Sequence, residues 1–176
     1  MGHKGDLGGW QGRYRSPFFW WVVWFGAGLM RPAPGTWGSL AAVILGYFML
    51  RAGMTPGELI GLVVFGSTVS VTIIGQVERL SGIHDAPEVV IDEVFGQWLA
   101  LVPVAVVGLP VGWAALAPLL VAFGLFRLFD IWKPFPIGWM DRHIGGGTGV
   151  MVDDLMAGLM AALGLVLLYM MGAFHV

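Results

Sequence analysis

Five apolar stretches dominate this chain, at residues 37–50, 58–77, 94–108, 112–129 and 154–174, and they are divided by turn chemistry. Gly53 and Pro56-Gly57 mark one gap, and Gly108 and Pro110 another. The 176 residues are 57% hydrophobic and 11% charged, with a mean hydropathy of +0.81. A soluble chain of this length cannot hide so much apolar surface, whereas lipid can. The expectation is an all-α integral membrane protein, a helical bundle of about five transmembrane helices preceded by a short N-terminal interfacial or re-entrant helix. It divides into a polar N-terminal tail at 1–16 and a single membrane-embedded domain at 17–176. Formal net charge is -2 and no basic run occurs, which argues against nucleic acid as a partner. The absence of cysteine removes disulfides, thiolate metal sites and cysteine nucleophiles together.

The N-terminal helix is inferred from residues 17–30, an apolar run behind Arg13 and Arg15 that superficially resembles a signal peptide. No convincing small-residue cleavage site follows it. The run is short of the ~20 residues a span requires. It carries Phe18, Phe19, Trp20, Trp21, Trp24 and Phe25, an aromatic mix suited to the membrane interface. Gly57 and Gly61 form a GxxxG pair, read as a close helix-packing site along with other in-span glycines such as Gly66 and Gly158.

Length places the charges. The stretches at 37–50, 94–108 and 112–129 reach across roughly 30 Å of hydrocarbon only if their helices extend into the flanking polar residues. The third helix must then begin near Val89 and take in Asp92 and Glu93. The fourth must run to about Lys133, stopped by Pro134, and take in Arg127 and Asp130. Polar segments 31–39, 76–93 and 127–153 are separated by one helical hairpin each, so all three lie on one face. That face holds Arg31, Arg79, Arg127, Lys133 and Arg142, against Arg51 alone opposite, and the positive-inside rule makes it cytoplasmic.

Ionisable residues at membrane depth are costly and point to function. Asp92-Glu93 and Asp153-Asp154 are adjacent acidic pairs at expected helix starts, with Asp130 nearby. One such pair would read as helix capping. Two on one face repel each other unless protonated or bridged by a cation. Oxygen donors without a His/Cys cluster suit a hard ion, Mg²⁺ before Zn²⁺. Asp92, Glu93, Asp153 and Asp154 are therefore the candidate metal ligands, with Asp130 as a further ligand or orienter. Arg127 and Lys133, with Arg142 beyond a proline-rich turn, are candidate phosphate contacts. The run Gly145-Gly146-Gly147-Thr148-Gly149 reads as a loop before the Asp153-Asp154 helix, able to aim backbone N–H groups, Gly146 and Gly147 above all, at an anion. Thr36 and Ser39 lie in a second polar turn, as helix caps or phosphate contacts. His84 is a candidate acid/base, or simply an exposed loop histidine.

Three blocks carry a family resemblance: GLMRPAPGTWGSLAA at 28–42, HDAPEVVIDEVFGQW at 84–98 and FRLFDIWKPFPIGWMDRHIGGGTGVMVDDLMAG at 126–158. In order, spacing and charged positions they resemble the bacterial phosphatidylglycerophosphatase A family, over about residues 25–170. The resemblance implies a Mg²⁺-dependent, multi-pass enzyme of the bacterial inner membrane with its site facing the cytoplasm. Its lipid substrate would be phosphatidylglycerophosphate, dephosphorylated to phosphatidylglycerol. Either water or an aspartate can serve as nucleophile in such a pattern, and no oligomeric state follows from it. Cys-x5-Arg, Asp-x-Asp and Ser-Gly-His phosphatase motifs are absent. Two other readings are a CDP-alcohol phosphatidyltransferase and a small transporter. The first needs an Asp-Gly dipeptide that the chain lacks, and the second needs polar residues at mid-depth.

Overall fold

The computed structural model describes residues 3–174, and they form a helical bundle. Helices α1 (Pro17–Val22), α2 (Pro34–Arg51) and α3 (Pro56–Ser81) are followed by α4 (Ile91–Ala100) and α5 (Val102–Val107). Next come α6 (Leu116–Trp132), α7 (Ile137–His143) and α8 (Gly146–Met170). Helix is the expected answer in lipid, because it satisfies every backbone polar group within one segment. Three segments are long and apolar enough to cross a membrane: Pro56–Ser81, Gly112–Trp132 and Gly146–Met170. The expected third span is instead two short helices, α4 and α5, broken at Leu101 where Pro103 follows.

The 17–30 run folds as the six-residue α1 and a 3-10 segment at Trp24–Leu29, whose first three residues, Trp24, Phe25 and Gly26, have positive φ. It is pinned to the bundle on both sides. The Trp21 indole N–H donates to Ser70 Oγ on α3 at 2.9 Å, and Val90 N–H donates to the Val22 carbonyl at 2.9 Å. Phe19, Val22 and Val23 are buried.

Close helix approach depends on glycines other than the GxxxG pair. A Cβ at Gly57 or Gly61 would meet nothing within 4 Å, so that pair faces open space. Gly66 of α3 lies against the Phe95 ring, and Gly158 of α8 lies against the backbone carbonyl of Gly96 in α4. A Cβ at Gly96 would in turn come within 2.6 Å of the Asp154 carbonyl and of the Phe126 ring. Helices α4 and α8 therefore cross backbone to backbone, with no side chain between them. The Trp98 indole N–H, bonded to the Ala42 carbonyl at 2.9 Å, ties α2 to the same pair.

At one end of the bundle Arg51 donates to the carbonyls of Leu109 and Pro110, and Thr55 with Glu58 forms a capping box on α3. The opposite end gathers the remaining polar segments.

Candidate functional site

The α4–α8 crossing at Gly96 and Gly158 decides which acids meet. Asp92 and Glu93 lie one turn before Gly96 on α4, and Asp154 lies one turn before Gly158 on α8. One carboxylate oxygen from each of Asp92, Glu93 and Asp154 falls within 4.8 Å of the others. Asp92 and Asp154 are 5% exposed. Asp92 Oδ1 and Glu93 Oε2 are buried without a hydrogen-bond partner among the described residues. Orphaned buried carboxylate oxygens are expensive unless something positive completes them. The donor set, all oxygen and all acidic, fits a hard divalent cation such as Mg²⁺.

Asp92 and Glu93 occupy the first turn of α4 as expected, without a side-chain cap bond, whereas Asp153 and Asp154 are not at a helix start. Helix α8 begins at Gly146, so Asp153 and Asp154 sit two turns inside it, and the glycines expected to form a preceding loop are its first turn. The reason is packing. Gly149 lies against the Ile144 carbonyl and Gly147 against Val71 and Ile74, positions where only glycine lets the helix start so near its neighbours. Gly146, with a φ of 67°, lines the cavity; Gly147 does not.

Helix α6 runs to Trp132 as its length requires, and Lys133 caps it in the left-handed conformation at φ 46° ahead of Pro134. That geometry costs roughly 1–2 kcal/mol for a residue with a Cβ. It turns the ammonium back over the site, where Lys133 Nζ donates to Asp153 Oδ2 and to Asp141 Oδ1, each at 2.6 Å. Burial opposes the charge on Lys133, but the hydrogen bonds to Asp141 and Asp153 outweigh it and hold its pKa above the usual lysine value. The bond from Lys133 likewise holds Asp141 below the ordinary carboxylate range. Asp153 is thus engaged by a cationic side chain through one oxygen, while its buried Oδ1 has no partner among the described residues.

Arg127 forms an ion pair with Asp130 one turn along α6, both side chains 15% exposed. It lies behind Glu93, where the guanidinium and the Glu93 carboxylate share the space beside Gly35; any side chain at residue 35 would collide with them. The α2 start consequently abuts the site through Gly35. Thr36 and Ser39 do not line the cavity, and neither caps α2: Ser39 is fully buried and its Oγ donates back to the Gly35 carbonyl at 2.8 Å. His84 does not itself line the cavity, but its Nδ1 lies 3.2 Å from Oε1 of Glu78, which does, and Arg142 is exposed on the last turn of α7.

A cavity of about 440 Å³ joins these elements. Its lining holds Asp92, Glu93, Asp130, Asp141, Asp153 and Asp154 with Lys133, joined by Glu78 and Asp85. The same lining includes the apolar side chains of Leu7, Ile74, Val77, Ile83, Ala86 and Val89. Sequence reasoning passes over Glu78, Asp85 and Asp141, each a lone acid. Asp141 was detectable as the acid beside Arg142 in the third block.

The chain matches the family described as Phosphatidylglycerophosphatase A over residues 20–169. It is 39% identical over 149 residues to the phosphatidylglycerophosphatase A of Escherichia coli (strain K12), covering 84% of this chain and 80% of that protein. It is 38% identical over 154 residues to the Haemophilus influenzae protein of the same name, covering 84% of this chain and 86% of the relative. No solved structure matches.

Proposed function

The chain belongs to the phosphatidylglycerophosphatase A family, and from that premise we propose that it removes the terminal phosphate of phosphatidylglycerophosphate to give phosphatidylglycerol, in a Mg²⁺-dependent reaction. The observation that carries the reading is the clustered trio Asp92, Glu93 and Asp154, two of them buried, opening onto the same cavity as Lys133. These three residues would hold the metal, which when bound supplies positive charge to the phosphoryl oxygens.

The other residues have separable tasks. Lys133, fixed between Asp141 and Asp153, presents an ammonium to an incoming phosphate, which can take up its donors as the carboxylates give way. Arg127 keeps Glu93 and Asp130 in place from behind and balances their charge. The apolar side chains of the lining exclude water from the headgroup and strengthen every electrostatic contact within the cavity. Monoester hydrolysis demands enhancements up to ~10²¹, and positioning supplies only about 7–11 kcal/mol. Charge placed in advance must therefore carry much of the remainder.

The proposal includes a multi-pass protein of the bacterial inner membrane, with the cavity on the cytoplasmic face. Helix α2 and the α4–α5 pair complete about five crossings beside the three long ones. Phosphate release by the purified protein from phosphatidylglycerophosphate, present with Mg²⁺ and lost with chelator, is the result this reading requires. For topology, the cysteine-free chain permits single-cysteine reporters. Cysteines at Gly35, Asp85 and Gly146 should label from the cytoplasm, and those at Gly53 and Gly108 from outside; labelling of 85 and 146 from opposite sides would dismantle the single-face site.

A further inference from the structure

Residues 3–16 precede the region matched by the family, yet they build part of the cavity. The backbone of His3–Lys4 pairs in parallel with Ile83–His84. A 3-10 turn at Leu7–Gly9 follows, capped by Asp6, whose carboxylate accepts from Gly8 N–H at 2.9 Å. The turn drives Leu7 inward, where it is 1% exposed and joins the apolar part of the lining.

A latch secures this arrangement. Glu88 is 4% exposed, and a carboxylate so deeply buried persists only if its oxygens are satisfied. Oε2 accepts the Leu7 N–H at 3.1 Å and Oε1 accepts from Arg31 at 2.7 Å. Glu88 lies outside the acidic set of the cavity, so its charge goes to fastening the N-terminal segment and the 24–33 segment to the start of α4.

We infer that Leu7, held inward by the Glu88 latch, is a specificity-determining residue: the N-terminal segment forms the wall against which the carbon skeleton of a phospholipid headgroup packs while its phosphate lies at the acidic cluster. The inference rests on the lipid-phosphatase reading. A side chain fixed in the lining limits the size of headgroup that fits, and steric discrimination by one side chain in such a pocket spans about 10–200-fold.

The full-length protein tests it with Leu7→Trp, Leu7→Met and Glu88→Gln, each also made in a chain carrying Val150→Cys as a cavity reporter for a soluble maleimide. Leu7→Trp should raise KM for phosphatidylglycerophosphate about tenfold while kcat stays within about twofold, and should slow labelling at 150. Leu7→Met, which keeps the volume, should behave as the parent. Glu88→Gln should release the wall and speed labelling several-fold. A Leu7→Trp change that alters kcat and KM equally, or neither, overturns the inference, as does unaltered labelling in Glu88→Gln. If Leu7→Trp fails to insert, Leu7→Ala replaces it with the opposite sign, and unaltered labelling there overturns the inference equally. Should the parent release no phosphate from the lipid, the proposed activity falls, and the labelling rates alone decide whether the wall exists.

Discussion

The two ends of the bundle hold spaces of similar size and opposite chemistry. The cavity at the charged end, about 440 Å³, has eight carboxylates and Lys133 in its lining. Toward the other end a crevice of about 470 Å³ between α3, the end of α4, α5 and α8 is lined by Ile60, Leu99, Val102, Val106, Leu163, Val166 and similar side chains, with no charged residue. Both are bounded by α8, so one helix carries the acidic cluster in its first half and apolar packing in its second. Volume does not distinguish a site from a crevice here. The distinguishing features are the orphaned buried oxygens and the glycine crossing that brings them together.

That contrast breaks most readily at the acids. Asp92→Asn and Asp154→Asn should each cut phosphatase activity by more than the ~10–100-fold typical of a residue behind the metal ligands, and should shift the Mg²⁺ titration to higher concentration. Leu163→Met in the apolar crevice should leave both unchanged. If the two Asn variants keep the parent's rate and Mg²⁺ dependence, the charged end is packing as well.

Arg127 gives the next largest effect. Arg127→Ala strips Asp130 of its partner and Glu93 of its counter-charge, and activity should fall about 10–100-fold. Arg127→Lys should recover little, because an ammonium cannot reproduce the fork of the guanidinium. Kinetics of both variants, beside evidence that each inserts and folds, check this.

Glycines sharpen the comparison further. Gly96→Ala and Gly158→Ala insert a methyl between two touching backbones and should cost about 1–3 kcal/mol, with activity falling in step as the acids separate. Gly61→Ala meets open space and should be neutral or stabilising by about 0.4–1 kcal/mol. Thermal unfolding in one detergent compares the three.

The smallest effect belongs to Asp141. Its pKa is held down in the folded state by the bond from Lys133, so its contribution is complete above the unfolded carboxylate value and fades as pH falls through the lower folded one. The carboxylate is 45% exposed and screened by solvent, which limits that contribution to about 1 kcal/mol or less. Asp141→Asn should thus lower the unfolding midpoint slightly at pH 7, and the difference from the parent should shrink below about pH 4.

The charged end was largely legible in the sequence because length is a hard constraint. A span too short for the bilayer had to draw in Arg127 and Asp130, and α6 runs over both; Asp92 and Glu93 are helical too, but in the short α4 of a segment broken at Leu101. What failed was the reading of local motifs. A glycine run reads as a loop unless one knows that Val71 and Ile144 press against it. A GxxxG pair does not disclose which face of its helix is inward. Hydroxyls near a helix start suggest caps, but Ser39 lies a full turn inside α2. The Leu7–Glu88 bond joins residues 81 apart, and nothing local to either announces the other.

The α4–α8 crossing also fixes when the site can exist. Asp92 and Glu93 are made well before Asp154, and synthesis at ~5–20 residues per second separates them by several seconds. Throughout that interval two adjacent carboxylates enter the nascent bundle without the third oxygen donor of their cluster. The three acids can meet only once residue 154 has been made, whereas the Leu7–Glu88 bond can close as soon as the polar segment at 76–93 has emerged. The Leu7 part of the cavity lining can therefore be in place before the acidic cluster is complete.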